Sequence, residues 1–407
     1  EKQRIDDRVA ELFVPVILII SLLTFFIWVF FGGIDVVSHG LFAALSVLVV
    51  ACPCVVGLAT PVALAAGLNK AARNHILIRD TSALEQMRNV DVVVFDKTGT
   101  LTEGHPTVIG WLWAQGQEEH YKDVLLAAES TSDHPLAEAI VTALEGEEQV
   151  IPAHLDGFEN ITGKGVRVAY QGAEYWVGSH KLLKDYQANL SDILADMLTQ
   201  YESDGNSIVY FGRENDLLAV IAIKDQLRVT SMEAIRELRI QDIEICMLTG
   251  DGERTASSVA GSLGIMRFVA DAMPDDKEDF IHKLQLQGKT VAMVGDGVND
   301  AQALSCADVS IAMGKGTDTL MDTAMITLRT SDLLLLPKVF RLSRQTVSLM
   351  YRNLFWAFIY NTVGIFVAAG VLYPVYDILL SPALAGAAMA LSCVSVALSS
   401  LRLSSRF

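Results

Sequence analysis

The chain has 407 residues, of which 51% are hydrophobic and 19% are charged, and its net charge is −17. This length is too great for a single hydrophobic core, so the sequence predicts two or three domains. The strong negative charge would repel a phosphate backbone, which excludes nucleic acid as an expected partner. The five cysteines are an odd number and widely spaced, so no disulfide framework is predicted.

Four apolar stretches are long enough to cross a bilayer, which takes roughly 20 apolar residues. They cover residues 13–32, 41–68, 354–372 and 378–398. Arginines and lysines flank the ends that face the long polar block between the second and third stretches. By the positive-inside tendency, this block is cytoplasmic. The sequence therefore predicts an integral membrane protein with about four transmembrane helices and a large cytoplasmic part.

A Cys-Pro-Cys motif, Cys52 to Cys54, lies within the second apolar stretch. Proline removes a backbone donor, so the helix is expected to kink or unwind there, which can turn both sulfurs toward one cavity. Thiolates are soft ligands that favour Cu(I), Ag(I) and Zn(II). Ionised thiolates in hydrocarbon are costly without a cation, so metal binding and deprotonation should be coupled. A single buried cysteine is usually a small apolar residue, but two at this depth indicate a metal site.

In the cytoplasmic block, three apolar runs each end in a polar, acidic turn. The runs cover residues 90–95, 243–248 and 290–294, and the turns carry Asp96, then Thr249, Gly250 and Asp251, then Asp296 to Asp300. Continuous apolar runs of this length suit parallel strands that are covered on both faces. Helical patterns lie between the later runs. The alternation predicts a doubly wound parallel sheet with its site at the carboxyl ends of the strands.

The residues in these turns suit phosphoryl transfer. A carboxylate such as Asp96 can attack a phosphoryl group to form an aspartyl phosphate. Asp296 and Asp300 are hard oxygen ligands for Mg²⁺, and Lys277 would place an ammonium beside the transferring group. Thr98, Thr249 and the backbone of the glycine turns would donate hydrogen bonds to its oxygens. A lone Asp-Gly is usually only a turn, but three acidic turns in this order indicate a site.

The run Asp96-Lys97-Thr98-Gly99-Thr100-Leu101-Thr102 resembles the phosphorylation motif of P-type ATPases, which carry it on a haloacid-dehalogenase-like core. The resemblance covers essentially the whole chain, and it implies ATP and Mg²⁺ as cofactors. Gln302 departs from the family, which usually has proline at this position. The catalytic residues that the resemblance implies are Asp96, Lys97, Thr98, Thr249, Gly250, Asp251, Lys277 and Asn299, and the Mg²⁺ ligands are Asp96, Thr98, Asp296 and Asp300.

An insertion at residues 105–220 is long enough for a separate small domain. A lone His-Pro is usually structural, and a lone Gly-x-Gly is weak evidence for any site. Here Glu129, His134-Pro135, Gly163-Lys164-Gly165 and Gly178-Ser179 follow in an order that resembles the nucleotide-binding domain of heavy-metal pumps. The resemblance implies that Glu129 and His134 contact adenine. It also implies that Gly163, Gly165 and Gly178 allow close backbone approach to the nucleotide. Asp133 and Ser179 depart from the commoner glutamate and asparagine.

The third and fourth apolar stretches carry polar and sulfur-containing residues at membrane depth, where such groups tend to be functional. With Cys-Pro-Cys, they resemble the copper branch, whose signature is Tyr-Asn in one span and Met-x-x-Ser-Ser in the next. Cys393 replaces the second serine. Zinc and cadmium relatives carry a lysine and an aspartate here, which residues 354–372 and 378–398 lack. The implied Cu(I) or Ag(I) ligands are Cys52, Cys54, Tyr360, Asn361, Met389, Ser392 and Cys393.

The domain boundaries follow from these assignments. We expect a transmembrane helix pair at 1–73, the first part of the phosphorylation domain at 74–104 and the α+β nucleotide-binding domain at 105–220. The second part of the phosphorylation domain is expected at 221–345 and a C-terminal transmembrane pair at 346–407. The resemblance also implies delivery of Cu(I) by a cytosolic copper chaperone and a location in the plasma (inner) membrane of a bacterium.

The family carries earlier helices and an actuator domain with a Thr-Gly-Glu loop, which do not occur between Glu1 and Phe407. The sequence therefore predicts a fragment or a split or degenerate pump whose actuator acts in cis or in trans. A pump for zinc or another divalent metal is one alternative. A membrane-tethered phosphotransferase, or a pump fragment that does not transport, is an alternative of a different class.

Overall fold

The computed structural model describes residues 5–31, 36–52, 54–114, 118–132, 134–147, 149–188, 192–296, 300–314 and 324–405. Asp133 and Asn299, two positions that the sequence singled out, lie outside these ranges. The chain divides into two compact units. The helical unit comprises Glu1–Asn74 and Phe340–Phe407, and the sheet unit comprises His75–Val339.

The helices and strands of the described residues are numbered here in chain order. The helices are α1 Ile5–Phe31, α2 Val36–Val50, α3 Cys54–Arg73, α4 Ser82–Met87, α5 Glu118–Glu129, α6 Pro135–Glu145, α7 His180–Asp185, α8 Asp192–Ser203, α9 Ser231–Ile240, α10 Glu253–Leu263, α11 Pro274–Leu286, α12 Ala301–Cys306, α13 Leu335–Ala368, α14 Tyr373–Tyr376 and α15 Pro382–Ser405. The strands are β1 Ile76–Ile78, β2 Val92–Asp96, β3 Thr107–Trp113, β4 Gly157–Ile161, β5 Gly165–Tyr170, β6 Ala173–Gly178, β7 Ser207–Arg213, β8 Asp216–Lys224, β9 Glu244–Leu248, β10 Arg267–Val269, β11 Val291–Gly295, β12 Val309–Met313 and β13 Ile326–Leu328.

In the helical unit, the second predicted stretch is divided into two helices, at the motif where the sequence predicts a kink or an unwound turn. Helix α2 ends at Val50 and α3 begins at Cys54, so the chain is interrupted at the Cys-Pro-Cys motif. The last bonds of the first helix run from the Ala51 amide to the Val47 carbonyl (2.9 Å) and from the Cys52 amide to the Val49 carbonyl (3.3 Å). Proline cannot continue this ladder, which explains the interruption.

Two helices in the described part of the chain are long and apolar enough to cross a membrane. They are Val14–Phe31 and Pro382–Leu403, with mean hydropathies of 2.7 and 1.9, and Val37–Val50 is a shorter apolar helix. The predicted span at 354–372 instead forms the end of helix Leu335–Ala368. That helix stops because Gly370 adopts a positive φ of 96°, and the indole Nε1 of Trp28 donates to the Ala369 carbonyl (3.0 Å).

The described part of the helical unit exposes many large apolar side chains and buries several polar ones. Phe30 and Phe31 are 75% and 86% exposed, which would be costly in water and suits a hydrocarbon surrounding. Inside, the Asn353 amide donates to Ser400 Oγ (3.0 Å), and Ser46 Oγ donates to the Leu380 carbonyl (2.6 Å). This pattern agrees with a membrane-embedded helical bundle, in which polar groups must find partners within the protein.

The sheet unit contains a seven-stranded sheet with the order β1-β13-β12-β11-β2-β9-β10. All neighbouring strands run parallel except β1, which pairs antiparallel with β13 at the edge. Every residue of β2 and β11 is buried, as the continuous apolar runs predict. The winding reverses beside β2, because later strands add outward on both sides of it. Such a reversal is where doubly wound sheets form their ligand sites, at the carboxyl ends of the strands.

A second, antiparallel sheet has the order β3-β8-β7-β6-β5-β4. Helices α5 and α6 pack on one face through residues such as Leu125 and Ile140. Helix α7 covers the other face near Trp176. This sheet forms the inserted α+β domain that the sequence predicts. Because β8 pairs with β3 as far as Lys224, the inserted sheet extends past the boundary expected at residue 220.

Candidate active site and metal-binding residues

Asp96 is the last residue of β2, the central strand of the seven-stranded sheet. Its carboxylate is largely buried, and its Oδ2 accepts a hydrogen bond from the Thr98 amide (3.1 Å). The chain then turns sharply, with Gly99 at a φ of 69°. A Cβ at Gly99 would lie 1.4 Å from an Asp296 carboxylate oxygen, so only glycine fits between Asp96 and the neighbouring acidic turn.

Lys277 neutralises this carboxylate directly. Its ammonium lies 2.5 Å from Asp96 Oδ1 and 2.7 Å from Asp300 Oδ1. The residue sits in the first turn of α11, after Pro274, and its side chain is 8% exposed. Burial by itself would lower the pKa of Lys277, but the two carboxylates outweigh it and raise the pKa above its ordinary value. Lys277 is therefore a permanent cation beside the candidate nucleophile.

Three carboxylates meet in this place. One oxygen from each of Asp96, Asp296 and Asp300 lies within 4.8 Å of the others. Burial, followed by the negative charge of Asp96 and Asp300, raises the pKa of Asp296 to about 7. A hard divalent cation would relieve this repulsion, and three carboxylate oxygens are the donor set that Mg²⁺ prefers. These residues therefore fit the predicted Mg²⁺ site.

The second acidic turn holds Lys97. The Lys97 ammonium forms a close ion pair with Asp251 and donates to Ser207 Oγ (3.1 Å) at the start of β7. Thr249 Oγ1 accepts from the Asp251 amide (3.1 Å), which shapes the turn. Burial would raise the pKa of Asp251, but the charge of Lys97 and its hydrogen bond lower it below its usual value. Gly250 has room for a Cβ, which would meet only the Ala272 carbonyl at 3.8 Å.

Two residues that sequence reasoning missed hold the phosphorylation turn. Asp225 accepts from Thr102 Oγ1 (2.5 Å) and from the Gly104 amide (3.1 Å). The buried guanidinium of Arg228 donates to the Thr100 carbonyl through Nε (2.9 Å) and to the Gly99 carbonyl through Nη2. Asp225 fits the pattern that identified the other acidic turns, because it directly follows the apolar strand β8, which ends at Lys224.

The predicted nucleotide residues lie in the inserted domain. Glu129, the last residue of α5, is 6% exposed. His134 caps α6, since its Nδ1 accepts from the Leu136 amide (3.2 Å), which leaves Nε2 available to a ligand. Surrounding protein lowers the pKa of His134, and the charges of Asp251 and Lys97 act on it in opposite directions. The structure therefore brings His134 within electrostatic reach of the second acidic turn.

At two of the predicted glycines, the packing of the sheet itself leaves no room for a side chain. Gly165 and Gly178 pair across β5 and β6. A Cβ at Gly165 would lie 2.0 Å from the Val177 carbonyl oxygen, and one at Gly178 would lie 2.1 Å from the Lys164 carbonyl oxygen. Gly163, at a φ of 67°, lies against Met273. Close strand approach, rather than ligand approach alone, thus requires Gly165 and Gly178.

The buried position of Glu129 predicts a pH dependence. Burial raises the pKa of Glu129 to about 8. The folded chain therefore keeps a proton that the unfolded chain loses at the ordinary glutamate pKa of 4.5, so the free energy of unfolding should fall as pH rises from 4.5 to 8. The slope from this one group is at most about 1.4 kcal/mol per pH unit.

We expect Glu129→Gln to flatten this decline, because the amide has the same shape and carries no charge at any pH. Denaturant midpoints measured at steps between pH 5 and 8 would test this. Glu138→Gln, on the exposed face of α6, is the matched control and should leave the decline unchanged. A Glu129→Gln profile parallel to that of the unmodified chain would show that the carboxyl is not held neutral.

In the helical unit, two of the predicted metal ligands pack against one cluster. Met389 and Cys393 pack against a cluster of Val55, Ala357 and Val396, and Val55 directly follows Cys54. Helix α3 begins at Cys54, whose side chain lies outside the described part of the chain. Cys52 lies at the break between α2 and α3.

The polar members of the set divide into two groups. Asn361 is 1% exposed, and both its amide oxygen and its amide nitrogen lack a partner among the described residues. The buried Ser392 Oγ also lacks one. Such orphaned groups are costly in a membrane and suit a polar or ionic ligand. Tyr360, in contrast, is 45% exposed and contacts Trp356, so its side chain is not buried as those of Asn361 and Ser392 are.

The fold and site match a known family. Residues 90–308 match the model of the haloacid dehalogenase-like hydrolases, and the chain belongs to this family. The chain is 43% identical to the copper-exporting P-type ATPase of Legionella pneumophila subsp. pneumophila over 98% of this chain and 54% of that protein. It is 44% identical to the silver exporting P-type ATPase of Salmonella typhimurium, over 99% of this chain and 49% of that protein.

A solved structure agrees with these relatives. The crystal structure of a zinc-transporting PIB-type ATPase in the E2.Pi state superimposes with a TM-score of 0.71 at 32% identity, over 99% of this chain and 64% of that chain. The predicted fold and the predicted resemblance to heavy-metal P-type ATPases are thereby confirmed. The chain spans about half the length of the curated relatives that it matches.

Proposed function

We propose that this chain carries the phosphorylation, nucleotide-binding and metal-binding parts of an ATP-driven pump that exports Cu(I) or Ag(I). The observation that carries the proposal is the buried contact of Asp96 with Lys277 at the carboxyl end of the central strand. A carboxylate in this position lies at the edge where doubly wound sheets bind their ligands, and an ammonium at 2.5 Å offsets the repulsion from an incoming polyphosphate.

In the proposed reaction, an Asp96 carboxylate oxygen forms a bond to the γ-phosphorus of ATP. The bond from that phosphorus to the bridging oxygen breaks, and ADP leaves. Lys277 would neutralise charge on the transferring group, and the Thr98 amide would help to orient the Asp96 carboxylate. Asn299 would add a polar contact from the third acidic turn. The product is an aspartyl phosphate, a covalent intermediate of the kind that carboxylate nucleophiles form.

Mg²⁺ would be held by Asp96, Thr98, Asp296 and Asp300, and when bound it would neutralise the phosphate oxygens. Lys97 and Asp251 form a rigid ion pair at the edge of the site, next to Ser207 of the inserted domain. ATP would bind along the inserted domain, with its adenine near Glu129 and His134. Burial raises the pKa of Glu129 to about 8 and so keeps its carboxyl largely neutral at pH 7, which suits contact with an uncharged base.

Cu(I) or Ag(I) is the proposed cargo because the described part of the helical unit packs two sulfur-containing side chains beside the residue that follows the Cys-Pro-Cys motif. Met389 and Cys393 pack beside the start of α3, and the Cys-Pro-Cys motif lies at the break before it. Low coordination by sulfur suits Cu(I), whereas Zn(II) with four ligands would want an imidazole or a carboxylate. The relatives named for copper and silver export support this choice over zinc.

We propose that a cytosolic copper chaperone delivers the ion and that an actuator domain, in cis or in trans, directs water to the phosphoaspartate. The exposed apolar surface of the helical unit supports a location in a lipid bilayer. A bacterial plasma membrane is the proposed site, since the named relatives come from bacteria.

The metal assignment predicts a specific loss. In reduced protein, Cu(I) or Ag(I) should stimulate phosphorylation by ATP more strongly than Zn(II). Replacing both Cys52 and Cys54 by serine should reduce that stimulation by roughly tenfold or more, because two soft ligands are lost. X-ray absorption of the Cu(I)-loaded chain should show a coordination shell of sulfur, and this shell should collapse in the double variant.

Substitutions of the two other proposed sulfur ligands, Cys393 and Met389, provide the comparison with the double cysteine variant. Cys393→Ser restores the pattern usual in the copper branch, so it should retain stimulation, whereas Met389→Ala should weaken it. Basal phosphorylation of the double variant in saturating ATP shows whether the sheet unit is intact. Stimulation by Cu(I) that survives loss of both cysteines, or a stronger response to Zn(II), would rule out the proposed cargo.

A further inference from the structure

A second group of potential metal ligands lies on the surface of the sheet unit, outside the candidate active site. Glu278 and His282 stand four residues apart on α11, and therefore share one face of the helix. Cys306 is the last residue of α12. One ligand atom from each of the three lies within 4.8 Å of the others. We propose that Glu278, His282 and Cys306 form a Zn(II) site.

The distances match a zinc coordination shell. Cys306 Sγ lies 3.3 Å from Glu278 Oε1, and His282 Nε2 lies 3.5 Å from the same oxygen. Zinc bonds of about 2.0 to 2.3 Å at tetrahedral angles place ligand atoms about 3.3 to 3.8 Å apart. The side chains of Glu278 and His282 are 35% and 51% exposed, so an ion can enter and water can serve as a fourth ligand.

A neighbouring amide orients the imidazole for binding. Gln285 Nε2 donates to the Cys306 carbonyl (2.8 Å) and to Asp308 Oδ2 (3.3 Å), and both of these partners can only accept. This fixes the amide so that its Oε1 faces His282 Nδ1 at 3.1 Å. An Nδ1–H that donates to Gln285 leaves the lone pair of Nε2 directed toward Glu278. Metal-binding histidines are oriented in this way by a second hydrogen bond.

The mixture of donors selects the metal. One thiolate, one imidazole and one carboxylate together suit Zn(II), which accepts sulfur, nitrogen and oxygen. Mg²⁺ and Ca²⁺ want oxygen ligands, and Cu(I) prefers sulfur. This surface site is thus distinct in chemistry from the carboxylates around Asp96 and from the sulfurs of the helical unit. The three ligands come from two helices that the Gln285 hydrogen bonds already hold together.

An ion at this position would act on the elements that build the active site. Glu278 directly follows Lys277 on α11, and α12 directly follows Asp300. A metal bonded to both helices would restrain the separation of Lys277 and Asp300, which are 2.7 Å apart between Nζ and Oδ1. The site is therefore placed to make the geometry around the phosphoryl acceptor depend on zinc, whatever ion the pump exports.

The test uses the reduced chain in detergent, with Cys52 and Cys54 replaced by serine so that the membrane sulfurs do not bind the probe. Excess Mg²⁺ occupies the carboxylates around Asp96. Titration with Co(II) should produce one equivalent of tetrahedral absorption with a thiolate charge-transfer band, and Zn(II) should displace it. Cys306→Ser should abolish the charge-transfer band, and His282→Gln should weaken Zn(II) binding at least tenfold.

A control variant and a measurement of unfolding test whether Zn(II) binds specifically at this site. His154→Gln, an exposed histidine of the inserted domain, should bind Zn(II) like its parent. Zn(II) should raise the unfolding midpoint of the parent and leave that of Cys306→Ser unchanged, while without metal the two should unfold alike. The proposal fails if no saturable band develops, or if the band and the affinity are the same with and without Cys306.

Discussion

Asp96→Asn is expected to abolish formation of an acid-stable, hydroxylamine-labile phosphoenzyme from γ-labelled ATP. The amide keeps the shape of the side chain but is not a nucleophile toward phosphorus, so the loss should exceed about a thousandfold. The variant should still fold. Lys277 keeps Asp300 as a partner at 2.7 Å, and the repulsion that Asp96 exerts on Asp296 is removed.

The matched control is Asp279→Asn, which removes an exposed carboxylate from α11 and should leave labelling unchanged. Equal denaturant midpoints for Asp96→Asn and the unmodified chain would show that any loss of label is chemical. Label that persists in Asp96→Asn at the original level would place the phosphoryl acceptor on a different side chain.

Lys277→Met should remove phosphorylation and stability together. The thioether has nearly the same length as the lysine stem but no charge, so Asp96 and Asp300 would remain buried without their cation. Breaking a buried ion pair on one side costs about 3–5 kcal/mol. We expect a loss of this order in the free energy of unfolding, with labelling reduced at least about a hundredfold because nothing offsets the charge of the incoming phosphate.

A second substitution separates the two effects. Asp300→Asn in the Lys277→Met background removes one of the two carboxylates that have lost the ammonium, so the double variant should be more stable than the sum of the single changes predicts. Labelling should stay low, because Asp96 still lacks its ammonium. Lys283→Met, on the exposed face of the same helix, should change neither quantity. A Lys277→Met chain that labels at the normal rate would show that the ammonium is not part of the reaction.

Much of the fold follows from local pattern. The apolar runs before Asp96, Thr249 and Asp296 are strands because continuous burial on both faces requires continuous apolar sequence. Their acidic ends meet because parallel strands place their carboxyl ends at one edge of the sheet. The break between α2 and α3 follows from Pro53, which cannot donate to a helix. Each of these features depends on residues that are neighbours in the chain.

Features that depend on residues far apart in the chain could not be predicted from local sequence patterns. The helix that holds the third stretch stops at Ala368, where Trp28 packs against Gly370 from another helix. Asp225 and Arg228 were not singled out, although they hold the turn that follows Asp96. Their significance comes from partners more than 100 residues away in the sequence.

The sequence by itself determined which side chains can do chemistry: a carboxylate after a buried strand, paired cysteines around a proline and hard oxygens in a glycine-rich turn. Only the tertiary structure decided how they are charged and with what they pair. Lys277 and Asp96 are 181 residues apart in the chain and 2.5 Å apart in space. The burial that raises the pKa of Glu129 and the meeting of Cys306 with Glu278 are decided in the same way. Periodicity in a sequence records what each element needs to bury, whereas solvation and charge at a site depend on which elements pack together.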